Sequence, residues 1–167
     1  LMKKAGIKDY KAFSLDILSQ IKKKPISFEV FSDDFDVMEK QALEISSWGK
    51  NVYVKIPITN TKGVSSKQLI KKLSEKKVKL NVTAIMTWKQ VEEIMPSLKE
   101  SHGAFISIFA GRIADAGIDP LNTMVDSSKL LEQNNNLEWS GLVPGNFIML
   151  CKQTKSVVTL LLPQVIF

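Results

Sequence analysis

Asn51-Val52-Tyr53-Val54-Lys55-Ile56-Pro57 is the stretch on which the reading of the fold turns. Side chains alternate across a strand, so Val52, Val54 and Ile56 share one face and Lys55 sits on the other. An ammonium in the middle of an apolar strand is costly to bury unless it is paired or neutralised. Such a strand packs its aliphatic face against helices and turns its polar face elsewhere.

The same alternation recurs on both sides. Ile26-Ser27-Phe28-Glu29-Val30 precedes it, and Leu80-Asn81-Val82-Thr83 and Ile106-Ser107-Ile108 follow. In an open doubly wound sheet both faces are covered by helices and strands read as nearly continuous apolar runs. Polar residues on the second face of four successive strands fit a closed barrel with a reactive interior better. Helical patterns separate the strands, which is the signature of a parallel α/β architecture. Residues 5–22 carry an apolar stripe of Ile7, Tyr10, Phe13, Ile17 and Ile21, and Pro25 ends that helix. Ser32-Asp33-Asp34 caps a second helix reaching about Trp48. A third is expected near 64–76. Thr87 opens a fourth that ends near Pro96 to Leu98. After the strand Ala104 to Phe109 come a glycine-bearing loop and a helix near 120–134.

Length and composition narrow the class. The chain has 167 residues, 44% of them hydrophobic, enough for one packed core and short for two. A complete (β/α)8 TIM barrel needs roughly 200 to 250 residues. The reading is therefore an incomplete (β/α)8 TIM barrel, and because the chain opens at Leu1-Met2-Lys3-Lys4 in a helical pattern, truncation at the N-terminus is expected. The net charge of +6 would permit a basic nucleic-acid-binding α/β module. Its cations are nearly all lysines strung along helical segments such as Lys67 to Lys77, whereas nucleic-acid readers use arginine and aromatic stacking on one face. A solvated surface is the preferred reading, with no nucleic-acid and no membrane partner. A single cysteine excludes an internal disulfide framework. No signal-peptide pattern and no run long enough to span a bilayer is present, so a cytoplasmic protein is expected.

An acid, an amine, an amide and two hydroxyls would point into the barrel interior. For Glu29, Asn81, Thr83 and Ser107 the alternative is satisfied polar packing in the barrel layers. Lys55 is harder to dismiss, because desolvation lowers a lysine pKa and yields a neutral amine able to form a Schiff base. A structural ion pair between Lys55 and Glu29 is the competing reading.

Taken together, Pro25-Ile26-Ser27-Phe28-Glu29-Val30, Asn51 to Pro57, Leu80-Asn81-Val82-Thr83 and Ile106-Ser107-Ile108-Phe109-Ala110-Gly111-Arg112 resemble the third to sixth strand motifs of the transaldolases, in order and in spacing, over residues 1 to about 137. The resemblance implies that Lys55 is the Schiff-base lysine. It implies that Glu29 and Thr83 position the catalytic water, and that Asn81 and Ser107 contact sugar hydroxyls. Arg112, the only arginine in the chain, matches the phosphate-binding arginine in the loop after a barrel strand. The implied reaction, a step of the pentose phosphate pathway, passes a dihydroxyacetone unit between sugar phosphates. It needs neither metal nor organic cofactor, because the protonated imine is the electron sink. The related fructose-6-phosphate aldolases use the same lysine but release the three-carbon product. They tend to carry tyrosine where this chain has Phe109, which favours transaldolase. An aldolase of another Schiff-base class on the same barrel is a further alternative. For the full-length enzyme a homo-oligomer is expected.

Two departures from the family pattern stand out. The first two barrel strands, which carry the general acid/base aspartate and an asparagine near the substrate, have no counterpart here. After Glu138 the family expects a strand with a W-A-S-x-R motif and a final strand reading C-H-I-I-T, where this chain has Trp139-Ser140-Gly141-Leu142 and onward to Phe167. Back-translation read from the third base of each codon gives, with suitable synonymous codons, A-S-T-R-E-L-Y-N-V-M-Q-A-N-K-I-G-C-H-I-I-T after the tryptophan. The expectation is a catalytic domain over 1–138 and an out-of-frame tail over 139–167 that displaced the last two strands. With strands lacking at both ends, sheet edges would be exposed and the polypeptide poorly soluble and inactive.

Overall fold

The computed structural model describes residues 6–132 and 137–142. Five parallel strands form one sheet in sequential order: β1 (Ile26–Glu29), β2 (Val52–Pro57), β3 (Leu80–Ile85), β4 (Ala104–Phe109) and β5 (Leu137–Leu142). Helices α1 (Tyr10–Gln20), α2 (Phe35–Ser46), α3 (Lys67–Glu75), α4 (Trp88–Ile94), α5 (Ala110–Asp115) and α6 (Leu121–Glu132) precede and connect them. This is an α/β fold in which each strand lies beside its predecessor, the order of a barrel segment. A doubly wound sheet reverses its order at a switch point instead.

The aliphatic face is the core. Val54, Ile56, Leu80, Val82, Ile106 and Ile108 are fully buried in one cluster with Met38 and Ala42 of α2, Ile70 and Leu73 of α3, and Val91 and Ile94 of α4. Each such side chain contributes roughly 1.5–3 kcal/mol by leaving water. Three of the helices start where a short polar side chain meets orphan amides. The Asp9 carboxylate accepts from Ala12 N, that of Asp34 from Asp36 N and Val37 N, and Thr87 forms a capping box with Gln90.

The polar face is concave. Asn81 Nδ2 on β3 donates to Ser27 Oγ on β1 at 2.9 Å, although β2 lies between them. In a flat sheet those strands would stand about 9.5 Å apart. The rings of Tyr53 on β2 and Phe105 on β4 approach to 4.4 Å across β3 in the same way. Both contacts require the sheet to curl toward the polar side.

Three boundaries differ from the sequence reading. The first helix begins at Tyr10, because Asp9 caps it and Gly6, at φ +73°, lies outside. The fourth breaks into a 3₁₀ turn at Met95–Leu98, where Pro96 has no N–H to donate. The expected loop after β4 is helix α5, so Arg112 sits on a helix. Ala110 and Ile113 are buried there, and packing outweighs the cost of Gly111. The punctuating glycine is Gly117 at φ +77°, where Gly117 N–H reaches Ala114 O and Ile118 N–H reaches Ile113 O, closing a Schellman turn.

Strand β5 pairs with β4 from Ala104↔Leu137 to Phe109↔Leu142 and so crosses the expected boundary at residue 138. Residues 1–5 and 143–167, including most of the expected out-of-frame tail, lie outside the described residues. Among the described residues no helix is long and apolar enough to cross a membrane.

Candidate active site

The strand register sets three chemistries side by side. Glu29 pairs with Lys55, and Lys55 with Asn81, so acid, amine and amide occupy one rung of the concave face on three adjacent strands. Lys55 Nζ lies 3.5 Å from Glu29 Oε2, with the two side chains 16% and 40% exposed. The ion pair weighed from sequence is thus formed, at the open margin of the concave face. It leaves the amine within proton-transfer reach of a carboxylate.

Deeper in, Asn81 is 3% exposed and held at both ends. Ser107 Oγ donates to Asn81 Oδ1 at 2.7 Å, and Asn81 Nδ2 donates to Ser27 Oγ. Beside this layer the ring of Phe105, opposite Asn81 in the ladder, meets the ring of Tyr53 at 4.4 Å. Gly103 permits it, because a Cβ there would lie 3.3 Å from the Tyr53 hydroxyl and its φ of +123° disfavours any side chain.

Thr83 is one step further toward the C-terminal end, opposite Pro57. It is 1% exposed, and its hydroxyl has no hydrogen-bond partner among the described residues. The ladder shifts register between Val82 and Ile85, and Ala84 adopts φ +59°. Bulges of this kind re-aim side chains, often beside functional sites.

Glu29 is positioned from outside the sheet. Its N–H, on the free edge of β1, donates to Tyr10 Oη of α1 at 3.1 Å. The Tyr10 ring stands edge-on to Phe28, Phe31 and Trp48. Burial pushes the Tyr10 phenol up to about 12; the Glu29 N–H works against that rise, and the Glu29 carboxylate adds to it. The loops after β1 and β2 are tied together at the same end. The Asp33 carboxylate accepts both the backbone N–H and the hydroxyl of Thr61, each at 2.7 Å. Those two bonds, the amide first, hold its carboxyl below the usual carboxylate value.

Phe109 closes β4 and leads into α5, half-buried. Arg112 follows on α5, 39% exposed, with its guanidinium 3.7 Å from Asp115. No hydrogen bond or ion pair among the described residues joins Arg112 to the Lys55 rung. Of the residues singled out from sequence, Glu29, Lys55, Asn81 and Ser107 are brought together, Thr83 lies two residues beyond Asn81 within β3, Phe109 ends β4, and Arg112 follows on α5. Ser27 and Tyr10 were not singled out as site residues. Ser27 carried a signal, two residues before Glu29 on the same face; Tyr10 carried none beyond its place in a helical stripe.

Chemically, the arrangement offers an amine able to add to a carbonyl, an adjacent carboxylate to move a proton, and an amide and hydroxyls to bind alcohol groups. Among the described residues no group of three or more His, Cys, Asp or Glu is placed to hold a metal ion.

The Transaldolase/Fructose-6-phosphate aldolase family model matches residues 7–145. The chain is 36% identical over 126 residues to a protein of Dehalococcoides mccartyi named "Probable transaldolase", covering 75% of this chain and 55% of that protein. A "Probable transaldolase" of Streptococcus agalactiae is 35% identical over 115 residues, 69% of this chain and 50% of the relative. One of Streptococcus pyogenes is 35% identical over 108 residues, 65% and 47% respectively. The chain spans about half the length of the curated relatives it matches.

Proposed function

The chain belongs to the transaldolase/fructose-6-phosphate aldolase family, and on that premise we propose that it carries the Schiff-base half of a transaldolase, with Lys55 as the nucleophile and sugar phosphates as substrates. The observation that carries this reading is the Glu29–Lys55–Asn81 rung, which sets the amine 3.5 Å from a carboxylate on the concave face.

In the proposed reaction the Lys55 ammonium, paired with Glu29, passes one proton to that carboxylate, and the freed amine adds to the ketone of a ketose phosphate, its next proton moving to the new alkoxide. Glu29 returns its proton as the carbinolamine hydroxyl leaves as water, which gives the iminium. The hydroxyl on the carbon beyond the adjacent carbinol then gives its proton to Glu29 through the water beside it, the carbon–carbon bond between the two carbons breaks, and its electron pair flows into the iminium, leaving an enamine of dihydroxyacetone on Lys55 as an aldose phosphate departs. The enamine attacks the aldehyde of an acceptor, and hydrolysis frees the new ketose. Asn81 and Ser107 hold the hydroxyls of the three-carbon unit. Glu29 and the unpartnered Thr83 hydroxyl aim the water that makes and breaks the imine. Arg112, on α5 after β4, takes the phosphate. Phe109 in place of tyrosine favours transfer over simple cleavage.

Adduct formation at Lys55 is the outcome this reading expects. The polypeptide is to be incubated with a ketose phosphate, reduced with borohydride and mapped by mass spectrometry. A covalent adduct is expected on Lys55 and lost in Lys55→Ala. No adduct, or one on another lysine, would overturn the proposal. Any turnover measured with and without an aldehyde acceptor separates transfer from cleavage.

A further inference from the structure

The Schiff-base reading uses Asn81 as a binding group but leaves open what holds its amide. The terminal torsion of an asparagine is broad and soft, so burial alone does not set the plane of the amide. Here two hydroxyls grip it from opposite sides, Ser107 Oγ donating to Oδ1 at 2.7 Å and Ser27 Oγ accepting from Nδ2 at 2.9 Å. The two serines come from β4 and β1, on either side of β3 and β2. The grip is therefore made by the curl of the sheet.

We infer that Ser27 is a positioning residue of this site: by accepting from Asn81 Nδ2 across β2, it fixes the amide plane that meets the substrate hydroxyls beside Lys55. The inference rests on the proposed Schiff-base reading for what Asn81 binds, and on geometry alone for what Ser27 does to it. In the strand ladder Ser27 lies opposite Tyr53, one layer deeper than the Glu29–Lys55–Asn81 rung. It acts on the substrate through Asn81. The remaining proton of Nδ2 is then aimed consistently, and the amide can offer a donor in a fixed direction. Without Ser27 the Nδ2 group, in a residue 3% exposed, loses its acceptor and turns about a soft torsion.

Two arms test this on the whole polypeptide. In the first, the Asn81 side-chain amide protons are followed by NMR in the wild-type chain, Ser27→Ala and Ser27→Thr. Ser27→Ala should speed solvent exchange of the Nδ2 protons roughly tenfold or more, as expected when a buried donor loses its acceptor, and Ser27→Thr should restore the wild-type rate. Unchanged exchange in Ser27→Ala would overturn the inference, whatever the chemistry does. In the second, borohydride trapping at Lys55 is titrated with dihydroxyacetone. Ser27→Ala should raise the half-saturating concentration about tenfold, within what misplacement of a positioning group costs, while the limiting trapping rate stays within about twofold. In an Asn81→Ala background, Ser27→Ala should add nothing. An equal effect with and without Asn81 would show a merely structural role and overturn the inference. Failure of the wild-type chain to trap at all would remove the Schiff-base reading, and the exchange arm would still decide the role of Ser27.

Discussion

Thr83→Val should make the protein more stable while it weakens the chemistry. Thr83 is 1% exposed and its hydroxyl has no partner among the described residues, so folding strips water from that oxygen and returns no bond from them. A buried, unsatisfied hydroxyl costs about 1–3 kcal/mol in proteins. Valine has the same branched shape and suits a strand, so it removes that cost without leaving a cavity. A methyl in place of the hydroxyl adds a little apolar burial, offset by tighter packing against the bulge at Ala84. The net expectation is a gain of about 1–2 kcal/mol, or an increase in Tm of about 3–6 °C. Urea denaturation with an unchanged slope measures it. Asn81→Leu, which orphans the bonded Ser27 and Ser107 hydroxyls, should have the opposite sign. Adduct formation at Lys55 should slow in Thr83→Val even as stability rises, the trade expected of a polar group kept for function. If Thr83→Val instead lost more than about 0.5 kcal/mol, the hydroxyl would have a partner in solution and the argument from an unsatisfied buried group would fail.

Lys77 closes α3 at φ +61°, with Lys77 N–H bonded to Ser74 O and Val78 N–H to Leu73 O, a Schellman turn whose left-handed position ordinarily takes glycine. Lys77→Gly should stabilise the fold by about 0.5–1 kcal/mol by thermal denaturation, even though it gives up the exposed pair with Glu100 at 2.8 Å, since such pairs contribute little. The Tyr10 phenol, pushed up to about 12 in the folded protein, should appear in an absorbance titration at roughly 295 nm as a late component that Tyr10→Phe removes. Because the folded value lies above the ordinary 10.0, the stability tied to this phenol is intact below pH 10 and drains as pH rises toward 12. A single transition near 10 for both tyrosines would contradict the burial argument.

Much of the site could be read without coordinates, because a strand has a period of two. Once Val52, Val54 and Ile56 are assigned to the core, Lys55 has one face left, and the same holds for Glu29, Asn81 and Ser107. Helix starts were legible for a similar local reason, since Asp34 and Thr87 bond amides within three residues of themselves. Glycine was less informative. Gly111 looked like a loop signal and lies inside α5, whereas Gly117 ends that helix. The difference depends on whether Ala110 and Ile113 find a core to enter.

Alternation and capping act between residues a few positions apart, so the order of the first four strands and the helices between them, the two faces of each of those strands and the candidate acid, amine, amide and hydroxyls were all present in the chain itself. The curl that lets Ser27 meet Asn81 fifty-four residues away, the hydroxyl of Tyr10 on the edge amide of Glu29, the register shift beside Thr83 and the 3.5 Å between Lys55 and Glu29 were not. Those are relations between elements far apart in the chain. They arise only when helices on one side and side-chain volume on the other bend the sheet, and no local pattern encodes how far it bends.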